Sequence, residues 1–497
     1  MNRMLRRVSR LVLLGGALAA AVACPAVARG QNPRDSGSSV PYNVKDFQAK
    51  CDGVADDAPA IRSAIRAVVA QHGALGGNIS FPMGAICRVK STITITASNI
   101  HLVGAWGYYP ADALFSTTTI KGDSVNGPIF DVVGIVDGFA VMDLSIVGGG
   151  AAMPKSIGIR MATNGSHDPY FQRLFFDQFG LSAVQLGTAG GNVVIGATML
   201  DVFAQNSLLS RPNVDTGVLD VNASDLRMER CFATASVTDA SGQIGNGHSF
   251  AIAWRGTNGF GFADMAELSQ KGFLVTGNFN RFDGMRAFLN QGEGFVVSGS
   301  GNQFFGATAL SNSRTADAHS PGFTVTGGGN LFTGNLIDNQ VGADPIQQSY
   351  GFVDNAGGTH AWDGNHYANN RVGPNNGVRK NLYNTRVGTG YAVDNPRRAP
   401  AADRGDASVT LFCDLDTPTQ FVNSPLTANR TVTISNNGAW GGCQFQIVRT
   451  TTATGTSTLT VQNSDATQTK ALAVGQWALW EFWAQTATWR EVGFGSL

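Results

Sequence analysis

The densest run of charge in the chain is Asp225-Leu226-Arg227-Met228-Glu229-Arg230. Read as a strand, it puts Asp225, Arg227 and Glu229 on one face and Leu226 and Met228 on the other. Two carboxylates beside a guanidinium suit glycan chemistry. Glycoside hydrolysis needs a pair of carboxyl groups, one of them protonated as the acid. Elimination from a uronic acid needs a cation to neutralise the sugar carboxylate, often calcium held by carboxylates, together with a base. Asp225, Arg227 and Glu229 are therefore the first catalytic candidates, with Arg230 as a substrate-binding neighbour. The plain alternative is a solvated strand whose opposite charges pair.

Other residues could join them. Asp177 and Asp201 are 24 residues apart, as are Phe179 and Phe203. In a coil of that period the two carboxylates stack about 4.8 Å apart, near the separation of a retaining glycosidase pair. A corner that uses them for local hydrogen bonds is the alternative. His248, on a Gly-Asn-Gly-His-Ser loop, is a candidate acid/base or a plain loop histidine. Asp264, Glu267 and Trp254 are candidate substrate-binding groups. Tyr108, Tyr109, Trp362 and Tyr367 offer further rings for sugar stacking. Asp52, Asp56 and Asp57 have calcium-like spacing but precede a helix pattern, where they read as cap and turn residues.

The elements that position these residues follow from a repeat. Gly272-Phe273, Gly294-Phe295, Gly322-Phe323 and Gly351-Phe352 are spaced by 22, 28 and 29 residues, the span of one turn of a solenoid. Asn280, Asn302 and Asn330 fall eight residues after the first three glycines, and Phe282, Phe304 and Phe332 ten after them. In the fourth repeat Trp362 and Gly364 fit after a one-residue insertion. Asn290, Asn312, Asn339 and Asn369 form another recurring position. Such a register predicts a parallel coil in which Phe packs on Phe from turn to turn and Asn bonds to Asn at fixed corners. Trp362 then belongs to the Phe column and is core.

One amphipathic helix precedes the repeat. Ala60, Ile61, Ala64, Ile65, Val68 and Val69 share a face after Asp56-Asp57, and Ala-Leu-Gly-Gly at 74–77 ends it. Short β segments follow at 78–81, 92–95 and 101–103. This region, with Val44-Lys45-Asp46-Phe47, Asp52-Gly53-Val54-Ala55-Asp56-Asp57, Gly76 to Gly84 and Ile100 to Gly104, resembles the N-terminal segment of the pectate-lyase-like superfamily. That group includes rhamnogalacturonase/epimerase-like proteins, polygalacturonase-like enzymes and phage tailspikes. The resemblance implies a right-handed parallel β-helix, with the helix capping its open end. It also implies a polysaccharide partner lying along the outside of the coil, and the tailspike members imply a homotrimer. Where the family has Gly or an aromatic, this chain has Cys51 and Cys87, which suggests a local disulfide. Gly-Asn-Gly-His248-Ser is similar to the Gly-His-Gly loop of polygalacturonases, but the partner signatures of that family are absent.

Composition bounds the rest. Lys+Arg and Asp+Glu both number 35, so no basic excess is available for nucleic acid. Arg3, Arg6, Arg7 and Arg10, the apolar run 11–23 and Ala26-Val27-Ala28 read as a cleavable signal peptide over 1–28. The mature protein is then secreted, with no membrane span. Of its five cysteines, Cys51 and Cys87 could pair, as could Cys413 and Cys443, leaving Cys231 as a buried small hydrophobe. A polar linker occupies 29–41, the coil 42–395, and a second linker 396–405. Residues 406–497 have the strand texture of a small β-sandwich, similar to modules that follow β-helices in tail-fibre-like proteins. The expectation is an all-β secreted protein, a lyase or glycoside hydrolase on an acidic or branched polysaccharide, with calcium as the cofactor if it is a lyase. The competing expectation is a non-catalytic glycan-binding adhesin or surface structural protein.

Overall fold

The computed structural model describes residues 41–497 except 106–117, 192, 208–213, 236–247, 313–319, 339–350, 355–364, 369, 373–382, 386–390, 394–401, 414–415, 417, 437–438, 440 and 484. The signal-type segment, Tyr108, Tyr109, Trp362, Asn339 and Asn369 lie outside the described residues.

The later coil turns are built from three short strands, as in Lys271–Val275, Arg281–Asp283 and Arg286–Phe288. The first strand of each turn joins an 11-stranded parallel sheet, here called the back sheet. The second and third form two legs of a bent 21-stranded sheet, also parallel. In the earlier turns both legs are carried by single eight-residue strands, Ala140–Val147, Tyr170–Asp177 and Thr198–Gln205. A single residue of left-handed conformation separates the legs.

The interior is a set of stacks. Phe273, Phe295, Phe323 and Phe352 lie in one column with ring centroids 4.8, 4.3 and 4.7 Å apart. Phe282, Phe304, Phe332 and Tyr367 form a second column at 4.8, 5.0 and 5.1 Å. The two columns meet edge to face, the geometry that the ring quadrupole favours. The fourth repeat departs from the sequence alignment, because Tyr367, not Trp362, pairs with Phe332. The insertion is longer than one residue, and Asn365 takes the matching Asn position.

The corners are held by buried amides. Asn280 Nδ2 donates to Asn302 Oδ1 at 3.0 Å, and Asn330 Nδ2 to Asn365 Oδ1 at 3.0 Å. Each Oδ1 also accepts the backbone N–H of its counterpart one turn earlier, at 2.9, 2.8 and 2.9 Å. Asn290 and Asn312 form a second ladder, at 2.8 Å. Asn335 and Asn370 form a third that the repeat did not suggest. Glycine is required beside these corners. A Cβ on Gly299 would sit 1.8 Å from the Gly277 carbonyl oxygen.

The helix, α1, spans Ala58–His72 and buries Ile61, Ala64, Ile65 and Val68 against the first strands. The acidic residues before it serve the backbone. Asp57 accepts from the amides of Lys50, Cys51 and Arg88, and Asp56 from those of Ala58 and Lys90. Cys51 and Cys87 are bonded, as are Cys413 and Cys443, and Cys231 is free and buried.

The C-terminal strands form a five-stranded and a four-stranded sheet around one core that includes Phe445, Trp480 and Trp489. Successive strands alternate between the sheets and pair in parallel up to Leu459–Asn463. This small β domain therefore begins as a two-sheet winding and closes with antiparallel strands, Gln476–Trp483 against Thr488–Ser496.

Asn302→Ala orphans the Asn280 backbone N–H inside the coil. A loss of about 2 kcal/mol is expected, read as a lower urea midpoint at unchanged m-value. A midpoint equal to wild type would show that the amide ladder does not hold the turns.

Candidate functional site

On the outer face of the bent sheet the left-handed corner runs from turn to turn. It is occupied by Asp143, Arg173, Asp201, Arg230, Ala263, Gly284, Gly306 and Gly334, with φ between 50° and 68°. Strand register places these residues opposite one another on consecutive turns. Glycine takes this conformation without steric cost, whereas a residue with a Cβ loses roughly 1 kcal/mol or more. The later turns use glycine. Four earlier turns use aspartate and arginine in alternation.

These four side chains pair. Arg173 donates to both Asp143 oxygens, with the Nη2–Oδ2 distance 2.8 Å. Arg230 donates to both Asp201 oxygens at 2.7 and 3.0 Å. The bonds to Asp143 and Asp201 raise the pKa of the two guanidinium groups, so both stay charged. Glu229 is 3.6 Å from Arg230 and 2.6 Å from Arg227, which shares its strand face. Tyr170 lies two turns before Arg227 on the same outward row, through Thr198. Burial pushes its phenol pKa up, while Arg173 and Arg227 pull against that shift.

Exposed rings flank the charges. Phe203 is 45% exposed and Phe262 44%, unusual values for phenylalanine in strands. Phe203 pairs with Phe232 and Phe262 with Phe260, at 5.5 and 6.4 Å. Arg281 lies over Phe305 at 5.0 Å and is paired with Asp283.

A family model described as rhamnogalacturonase A/epimerase, pectate lyase-like, matches residues 42–165. The mannuronan C5-epimerase AlgE1 of Azotobacter vinelandii is 46% identical over 71 residues, which are 13% of this chain and 5% of that protein. The tailspike protein of E. coli bacteriophage HK620, solved in complex with a pentasaccharide, superposes with a TM-score of 0.54. That alignment has 12% identity and covers 89% of this chain and 84% of the tailspike. The AlgE6 A-module of A. vinelandii gives a TM-score of 0.49 at 19% identity, covering 71% of this chain and 98% of that one. Residues 42–165 match that family model, and the likeness to the tailspike shows that the chain shares its parallel β-helix fold. The short span of the epimerase match and the low identity of the structural likenesses concern its fold.

Within this pectate-lyase-like coil, Asp201, Arg227, Glu229 and Arg230 come together as one network. Asp225 does not share their face. It has φ 53° and lies in the turn before Arg227–Glu229. Asp177 and Asp201 do not stack. Asp177 is opposite Gln205 and bonds to Asn206, and Asp201 is opposite Arg173. The local turn is 28 residues, so the 24-residue coincidence misaligned them. His248 pairs with Asp215 at 2.9 Å and leads into a strand of the back sheet, away from the network. Trp254 is fully buried. Its indole N–H donates to Asn280 and its ring meets Phe282 edge-on, so it ends the Asn ladder instead of facing sugar. Glu267 is 8% exposed, on the second leg.

Asp264 is fully buried and cannot touch a substrate. Its Oδ1 accepts from the Cys231 amide at 2.8 Å, as Asn335 Oδ1 does from Ala307. Burial pushes its pKa up to about 8, so at neutral pH it is mainly protonated and substitutes for an asparagine. Asp143, Arg173 and Tyr170 were missed in the sequence. The signal was there: the corner residues are spaced by 30, 28 and 29, each followed by a buried Leu, Val or Cys.

The raised Asp264 pKa means the folded chain holds this proton more tightly than the unfolded chain. Its stability contribution is full below about pH 4 and is lost as pH rises through 8. Asp264→Asn should flatten the fall in melting temperature between about pH 5 and pH 9. Parallel melting profiles for variant and wild type would refute this role.

Proposed function

We propose that this is an exported protein acting on a uronate-bearing polysaccharide laid along the outer face of the bent sheet, by lyase-type elimination. The observation that carries the proposal is the charged left-handed corner. Four consecutive turns hold strained, ion-paired side chains where Ala263 and then glycine serve in the later turns, and strain of this kind points to function.

The geometry suggests roles. Arg227 and Arg230 offer N–H donors to a uronate carboxylate, with Asp201 orienting Arg230. Glu229, between them, takes the proton on the carbon beside that carboxylate. The C4–O bond then breaks, a C4–C5 double bond forms, and the departing oxygen takes a proton from Tyr170. Burial keeps that phenol protonated and so suits it to act as the acid. Phe203 and Phe262 present ring faces for neighbouring sugars. A hydrolytic pair needs two carboxyl groups facing one glycosidic bond, whereas Asp201 and Glu229 are each engaged by an arginine. The donors available for calcium, Asp143, Asp201 and Glu229, are each engaged by arginine. They do not fit an oxygen cage, and no step is assigned to the ion.

Incubation with alginate, pectate and acidic exopolysaccharides should produce unsaturated-uronate absorbance that a chelator does not abolish. New reducing ends without unsaturation would mean hydrolysis, and retention without cleavage would mean a binder; either outcome overturns the lyase reading. Tyr170→Phe should lower kcat by about 100-fold or more, the scale of one general acid, with little change in KM.

The corner makes a second prediction. The double variant Asp201→Gly, Arg230→Gly should keep stability within about 1 kcal/mol of wild type, because relieved strain offsets the lost exposed pair. It should lose activity. Full activity in the folded variant would remove the corner from the site.

A further inference from the structure

The C-terminal β domain carries its own comparison, since each of its two sheets has an outer face. Alternation with the core residues Val432, Ile434, Leu459 and Val461 puts Thr431, Thr433, Thr460 and Gln462 on the outside of the four-stranded sheet. Those residues suit a solvated strand face and need no further account. The five-stranded sheet differs. Its strand Gln476–Trp483 buries Ala478, Trp480 and Phe482 and so turns Trp477, Glu481 and Trp483 outward. Trp483 is 39% exposed and Trp477 is half-buried.

Two glycines form a bed for Trp477. Gly495 is its register partner on the edge strand Thr488–Ser496, and Gly493 lies two residues earlier on the same strand. A Cβ on Gly495 would sit 2.9 Å from Cε2, Cζ2 and Nε1 of the indole, and one on Gly493 would sit 3.3 and 3.5 Å from Cζ3 and Cη2. The ring therefore lies across both glycines. Glycine weakens a strand, and inside one it marks a close approach. Polar groups lie between the two tryptophans. Gln446 and Gln444 on the neighbouring strand are the register partners of Leu479 and Glu481, and Gln444 Nε2 donates to Glu481 Oε2 at 3.0 Å. Arg490 is opposite Glu481, and its guanidinium lies 4.4 Å from the centre of the Trp483 ring.

We infer that this outer face binds a neutral glycan chain, with Trp477 and Trp483 as platforms on which two of its pyranose rings stack. The chemistry of the face selects the ligand. Trp477 to Trp483 spans roughly 20 Å of strand, so the ligand is extended and longer than one sugar. Charge cancels, because Glu481 opposes Arg490 and the two glutamines carry none, so a polyanion finds no complementary field here. A glutamine amide donates and accepts, as sugar hydroxyls do. An indole face matches the apolar C–H face of a pyranose. The inference rests on the proposed function only in taking a polysaccharide as the partner. It does not use the elimination chemistry, and it gives the C-terminal domain a different sugar class from the charged corner.

The test runs the full chain by affinity electrophoresis through gels holding a neutral β-glucan, xylan or mannan, with alginate and pectate as acidic comparators. Retardation by at least one neutral polymer is expected. Trp477→Ala and Trp483→Ala should each weaken it about tenfold or more, the scale of an interface tryptophan. Trp483→Ala should melt as wild type, and Trp477→Phe should recover most of the binding lost in Trp477→Ala. Retardation by acidic polymers alone, or by none, overturns the inference. So do variants retarded as wild type, which would leave the indole as a cover for Gly493 and Gly495. A concentration-dependent dimer that Trp477→Ala dissociates would make a second copy the occupant, and overturns it as well. Release of unsaturated uronate is read separately. Its absence in a protein that binds neutral glycan removes the lyase reading alone, and its presence in a protein that no neutral glycan retards removes the inference alone.

Discussion

The amide bond between turns is the constraint on which the rest of the structure depends. A parallel coil has no tight hairpins to set register, and a one-residue slip would invert every side chain. Asn280, Asn302, Asn330 and Asn365 remove that freedom, because at every step the Oδ1 of one accepts the backbone N–H of the Asn before it, and two of the three steps add an amide-to-amide bond. With register held there, the rings of Phe282, Phe304 and Phe332 must stack, and outward residues must line up in rows. The external face is thus a consequence of internal hydrogen bonds. Rows of outward residues bind nothing in themselves, but they bring together groups some 30 residues apart.

That ordering separates what was legible in the sequence from what was not. The coil was readable because its repeat is carried by few residue types at narrow tolerances, Gly, Asn and Phe in the turns from Gly272 to Gly351. Upstream the Phe282 position holds Met199, Met228 and Gly261, which do not repeat as letters. The register there was misread, and the supposed Asp177–Asp201 pair with it. Burial of Trp254 and Asp264 was unreadable for a related reason. Trp254 sits where the first ladder ends, and a ladder's last member needs a substitute donor whose identity the repeat does not dictate; Asp264 stands apart from the ladders and accepts from the Cys231 amide at a position where the next two turns carry Met285 and Ala307. Arg227, Glu229 and Arg230 were legible as a charged strand. Their partner Asp201 came into view through the wrong alignment, and Asp143, Arg173 and Tyr170 needed the fold.

The charged corner departs from what stability alone would select, with left-handed Arg and Asp in place of Gly. The remainder of the coil shows what the unstressed solution looks like, with Gly284, Gly306 and Gly334 at the corner and ladders closed by amides. The ion pairs on the back sheet are better satisfied. Asp220 binds Arg255 and the Gly217 amide, and Asp131 binds Arg160 through both oxygens. These pairs carry no comparable strain and read as structural.

The most direct measurement is a crystal structure of the protein soaked with an acidic oligosaccharide. The account predicts sugar density along the outer face of the bent sheet, with a uronate carboxylate against Arg227 and Arg230 and a ring over Phe203 or Phe262. Density on the back sheet beside Asp131 and Arg160, or on the C-terminal β domain alone, would contradict it.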